Sequence, residues 1–351
     1  MGLLVLTLAP ASGPARVDTA AGARAFVNPG KSEIIIELAP VDLPANASHV
    51  LPPIAILPLP ASGSLYGFRV EMVDSLGRQL PSELIHHFNL IDPDHRELFL
   101  PISRRMVAAG KETGSKRIPW LLFGFPVQQG ERVLASAMLA NPTGVSYTQA
   151  RCRLVLLYTP TGRPWPMFRA QPFQMDVAFP VGDKSFDLPP GKFSRSYDGS
   201  PVVPGAIVAI GGHVHELAQG LDFVDLTTGD TIYNAAPITN TAGDVTGVPV
   251  EHLYKLTRLG FRIVPDHRYR VTVHYLNPTD SVIPAGGMGV VGGLFVPDRG
   301  AVWPATDPTD SLYNQDLRHA MRQEGGGHDM KNMSGHSMSP THDHSGSHHP
   351  R

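Results

Sequence analysis

The chain carries one pattern twice. Residues Gly130 to Leu139 lead into Ala140-Asn141-Pro142-Thr143, and residues Arg268 to Tyr275 lead into Leu276-Asn277-Pro278-Thr279. An aromatic run precedes each, Phe123-Gly124-Phe125-Pro126-Val127 in the first half and Leu259-Gly260-Phe261-Arg262-Ile263-Val264 in the second. Each copy then passes a polar turn into a closing apolar segment, Arg153 to Pro160 and Val290 to Pro297. Two copies of one domain explain this most economically.

The copies read as strands. Tyr66 to Val73 and Arg268 to His274 alternate polar and apolar residues, and Ser32 to Leu38 is a short apolar run. Alternation between turn residues argues for half-buried antiparallel strands. The 35 Gly and 34 Pro in 351 residues suit many short strands joined by turns. The expected fold is all-β: two sequential antiparallel β-sandwich, jelly-roll-like domains, with a disordered His/Met-rich C-terminal tail. Residues 1–27 read as a signal-peptide remnant and N-terminal segment, 28–163 as the first sandwich and 164–300 as the second. Residues 301–351 read as a short helix, opened by Asp310-Ser311 and running to Met321, and then the tail.

The opening residues Met1 to Ala15 have the apolar centre and small-residue exit of a signal peptide, which places the protein in the periplasm or outside the cell. A net charge of −2 gives no reason to expect nucleic acid, and no stretch is long enough to span a membrane. The single cysteine, Cys152, lies in a strand and reads as a core residue. No nucleophile elbow, phosphate loop or dinucleotide glycine pattern occurs; Gly110 to Lys116 has the wrong spacing for a phosphate loop.

Histidine and methionine carry the chemistry. The first half holds His86-His87 and Met138, and the second holds His213-Val214-His215, His274 and Met288. Imidazole mixed with thioether suits copper, above all Cu(I). His213 and His215 leave the same face of a strand, so two imidazoles can reach one ion. His274 faces the same sandwich as a fourth ligand or an outer group, or is a structural histidine. Met288 is a ligand or a gap-filler. His86 and His87 are adjacent, so an ideal strand sends them to opposite faces, and both reach one ion only if the strand bulges. His95, His252 and His267 read as surface residues. The tail, with His328, Met330, Met333, His336, Met338, His342, His344, His348 and His349, reads as a metal collector.

At these residues the chain resembles the copper type II, ascorbate-dependent monooxygenases, the family of peptidylglycine α-hydroxylating and dopamine β-monooxygenases. His86-His87 matches the family's first His pair, His213-Val214-His215 its second, and Met288 its thioether. Gly110 to Lys116 is similar to a segment of the family's first domain. The resemblance implies one or two copper ions, with ascorbate or a similar reductant as co-substrate. It assigns oxygen chemistry and C–H hydroxylation of a small-molecule or peptide substrate to His213, His215 and Met288, with an electron-transfer copper at His86 and His87. Two departures stand out. Met138 occupies the position of the family's third first-domain histidine, and the family's cysteines are absent. A non-catalytic copper-handling protein and a metal-free exported sandwich are the alternatives.

Overall fold

The protein is described by a computed structural model covering residues 16–19, 21–110, 114–179, 184–241 and 243–321. Its strands form two consecutive β-sandwiches. The residues expected to form a disordered, metal-collecting tail from His328 onward and those expected to form a signal-peptide remnant up to Ala15 lie outside the described residues, as do 111–113 of the segment matched to the family's first domain. Among the described residues no helix is long and apolar enough to cross a membrane.

In the first sandwich, Tyr147–Pro160 lies at the centre of one sheet between Glu33–Glu37 and Gly63–Val73. Arg16–Asp18 and Arg24–Asn28 extend this sheet, so the domain reaches back past residue 28. The facing sheet runs Ala55–Pro58, Arg132–Leu139, Ile85–Arg96, Ser103–Gly110. Between them Ile34, Ile36, Leu57, Phe88, Leu90, Cys152 and Leu154 are buried. Burial in this apolar layer pushes the Cys152 thiol up, far from the range of a reactive thiolate.

The second sandwich repeats the plan. Gly289–Pro297 is flanked by Gln171–Asp176 and Gly205–Val214. The facing sheet runs Gly191–Gly199, Tyr269–Asn277, Ala218–Asp225, Thr231–Ala235. Period-two burial is clear on Tyr269–Asn277, where Tyr269, Val271, Val273 and Tyr275 point inward.

The repeated Asn-Pro-Thr corner has one structure in both halves. Asn141 is fully buried; its amide donates to the carbonyls of Leu43 (3.1 Å), Pro44 (2.8 Å) and Val145 (2.8 Å). Its Oδ1 accepts from the Thr143 N–H (3.1 Å) and hydroxyl (2.7 Å). Asn277 donates to Leu188 (3.1 Å) and Ser281 (2.9 Å) and accepts from the Thr279 N–H (3.0 Å) and hydroxyl (2.7 Å). The side chain supplies the partners that turn backbone would otherwise take from water.

The domains are interlocked. The tip between Ile85–Arg96 and Ser103–Gly110 leaves the first sandwich, and Leu98, Phe99, Leu100 and Ile102 join the core of the second. Phe99 packs against Phe173, Phe223 and Tyr269. In return, the segment after Pro297 crosses back. Trp303 Nε1 donates to the Arg96 carbonyl (2.9 Å), and the Ser311–Met321 helix packs Ala320 on Ile91 and Leu134 of the first sandwich. Asp310 caps that helix, accepting from the N–H groups of Leu312 (2.7 Å) and Tyr313 (3.2 Å). Its buried Asp316 forms a two-point ion pair with buried Arg105 (2.7 and 2.6 Å). Residues 301–321 are therefore part of the folded body rather than an appendage of the tail.

Candidate metal centre at the domain seam

The two histidine pairs meet. His86 and His87 open the Ile85–Arg96 strand, beside Arg132–Leu139. Met138 pairs with His87, and Leu139 pairs with Ile85, so His86 is an inserted residue with no opposite number. Such a bulge bends the strand and re-aims its side chains. The adjacent rings consequently lie 4.3 Å apart, centre to centre, instead of on opposite faces. Met138 stands across from His87 on the neighbouring strand.

His213 and His215 lie at the end of the Gly205–Val214 strand, with buried Val214 between them. Their rings are 5.5 Å apart at 85°. His213 pairs with Val290 and Val214 with Gly289, which brings Met288 beside His215. Both flanking glycines are required by close packing. A Cβ on Gly212 would lie 2.3 Å from the Leu221 side chain and 2.5 Å from the Val290 carbonyl, and one on Gly289 2.7 Å from Val273.

Tyr275 ties these strands together. Its hydroxyl donates to the Met288 carbonyl (2.6 Å) and accepts from the N–H groups of Met288 (2.9 Å) and His215 (3.0 Å). Burial raises its pKa, so it stays a neutral donor. Tyr275 carries no ligand signal in the sequence, whereas its neighbour His274 does. Strand parity separates the two. Because Tyr275 points into the sandwich, His274 points out, correcting the expectation that it faces inward. There its Nε2 meets Asp222 Oδ2 (2.7 Å) and its Nδ1 meets Ser194 Oγ (2.8 Å). Both ring nitrogens are engaged, on a sheet other than the one bearing His213.

Across the seam, the His87 and His213 rings are 6.1 Å apart at 87°. On the far side, His49 meets His86 edge-on at 6.3 Å. Five imidazoles from three separate segments thus form one row: His49, His86, His87, His213, His215. His49 gave no signal in the sequence, since it is a lone histidine in a polar loop. Among the surface histidines, His95 pairs with Asp92 (2.8 Å) and His267 with Asp225 (2.7 Å), and His252 is exposed. The Asp225 bond raises the His267 pKa.

Among the described residues, no three His, Cys, Asp or Glu side chains converge tightly enough to hold an ion as they stand. Each pair offers two nitrogens, and a third donor within reach by strand pairing is a thioether, Met138 for the first pair and Met288 for the second. Two imidazoles with one thioether fit copper by donor chemistry and fit magnesium or calcium poorly.

No protein-family model matches the chain, and no curated protein matches it. Among solved structures, the major capsid protein P2 of bacteriophage PM2 is 10% identical, over 76% of this chain and 100% of its own, with a TM-score of 0.34. A chain from the Sulfolobus turreted icosahedral virus is 10% identical over 83% of this chain and 98% of its own, with a TM-score of 0.31. A chain from the Sputnik virophage is 9% identical over 89% and 92%, with a TM-score of 0.23. Likeness this loose does not reach the site.

Proposed function

We propose that the chain is an exported copper protein of the monooxygenase type, its donors gathered where the two sandwiches meet. The contact between His87 and His213 carries this reading, because it joins a His pair from each domain into one continuous set. His213, His215 and Met288 would hold one copper, and His86 and His87, with Met138 opposite, a second. Bound copper supplies the one-electron chemistry by which ascorbate or a similar reductant and dioxygen are turned on a substrate C–H bond. The chain's own residues do the rest. Tyr275 fixes the spacing of His215 and Met288, and buried Val214 and Val273 form an apolar wall behind them.

A second reading, copper handling without turnover, is favoured by one observation: a thioether stands opposite His87 where the family has an imidazole. Such a donor set holds reduced copper more firmly and gives up an electron less readily.

One experiment separates the two. Copper-loaded protein is given ascorbate and a panel of small-molecule and peptide substrates, and oxygen uptake and hydroxylated product are measured. The monooxygenase reading expects coupled uptake and product that fall about 100-fold or more in His213→Ala. Uptake without product, unchanged by His213→Ala, overturns it. Bound copper with neither leaves the handling reading.

A further inference from the structure

We propose that His49 is the third imidazole of the first-domain centre, joining His86 and His87 in place of the histidine missing at Met138. This rests on the copper reading above and adds a donor that no sequence pattern singles out.

His49 is held beside the pair by its backbone. Val50 exchanges two hydrogen bonds with Leu139 (2.8 and 2.9 Å), at the point where the register shift inserts His86. Asn141, the corner side chain, holds Leu43 and Pro44 from one side. The Asn141 N–H donates to Ala47 (2.7 Å), and the Asn46 N–H to Thr143 (3.0 Å). The loop from Leu43 to Val50 is therefore fastened at both ends to the strand and corner that follow Met138. Its one side chain with metal-ligand chemistry on this side is His49.

The rings of His49 and His86 meet edge-on, and the three rings do not yet converge. Of the three, His49 alone is exposed. An exposed side chain changes rotamer within nanoseconds, so His49 is the ring that swings to an ion while the partly buried pair stays in place. The consequence is chemical. With Met138 as third donor the centre favours Cu(I); with three nitrogens it holds Cu(II) as well. His49 thus removes the objection that the first domain lacks the donors for an ion that must change oxidation state.

The test uses the full-length chain with the tail histidines His328, His336, His342, His344, His348 and His349 changed to Asn, together with His213→Ala and His215→Ala. His86-His87 is then the one pair of adjacent histidines left in the chain, so a Cu(II) with several imidazole nitrogens reports on the first-domain centre. Cu(II) alone is titrated against a competing chelator, and coordinated nitrogens are counted by electron paramagnetic resonance. The expected result is one Cu(II) with three imidazole nitrogens. Adding His49→Ala leaves two and weakens binding about 100-fold or more, a larger loss than outer groups cause. Unchanged affinity and nitrogen count in His49→Ala, with binding lost in His86→Ala, overturns the role of His49 and leaves the copper reading standing. Weakening in Met138→Leu instead gives the third place to the thioether and overturns it too. No Cu(II) uptake before His49 is touched overturns the first-domain centre and His49 with it, while the centre at His213 and His215 stands or falls by the oxygen-uptake experiment. His49 is exposed, so its truncation does not threaten the fold, and a melting curve checks this.

Discussion

The two sandwiches share a scaffold and differ in where it looks. Both turn the same corner on a buried asparagine, Asn141 or Asn277, and both place the preceding strand second in a four-stranded sheet. Three residues before each asparagine, Met138 and His274 occupy the same outward-facing position. In the first domain that face meets the other domain, and Met138 lies beside His87, which touches His213. In the second domain it looks to solvent, and His274 is taken up by Asp222 and Ser194. The histidine pairs themselves are not on equivalent strands. His86-His87 begins the strand that pairs with Arg132–Leu139, and its counterpart is Ala218–Asp225. His213 and His215 close the strand before that one. A repeat constrains the core and the corners, while donor placement answers to the seam.

The interlock should break this comparison most strongly. Phe99→Ala empties a site in the second core from the first domain's chain and should cost about 3–5 kcal/mol, read from denaturant midpoints. Arg105→Ala leaves Asp316 buried and unpaired and should cost about as much, about 3–5 kcal/mol. Arg105→Met with Asp316→Leu should recover most of that loss. If the double variant is no more stable than Arg105→Ala, the pair is not what holds the helix.

Glu97, at the base of the same tip, sharpens the point through pH. Burial pushes its carboxyl up from an ordinary 4.5 to about 7, against the N–H groups of Leu98, Arg105 and Gln174 that favour the charged form. Between these values the folded chain keeps a proton that the unfolded chain has lost. Stability therefore falls as pH rises from about 4.5 to about 7, by up to about 3 kcal/mol. Glu97→Gln should flatten that part of the profile; a slope that survives the substitution rules Glu97 out as its source.

The corners come next. Asn141→Ala removes three donated bonds to carbonyls and Asn277→Ala two, so each should cost about 1–3 kcal/mol, with the first the larger. Only Asn141→Ala should also weaken Cu(II) binding, because only that corner fastens the His49 loop. Equal effects on copper from both would dissolve the distinction. The smallest effect belongs to His274→Gln, at about 0.5 kcal/mol, as for a partly exposed pair. Loss of copper in that variant would return His274 to the centre.

What the sequence determined by itself is what local pattern and short spacing control. Period-two alternation and turn residues specified strands, the repeat specified two sandwiches, and the i, i+2 spacing put His213 and His215 on one side. Asp310 announced the helix, and Cys152 announced a core residue. Tertiary structure decided everything that depended on which strand lies beside which. A one-residue register shift against Leu139 placed His86 with His87. Parity across the core gave the site Tyr275 and denied it His274. The loop holding His49 and the return of residues 301–321 to the first domain arise from contacts between residues far apart in the chain, and no local period encodes these.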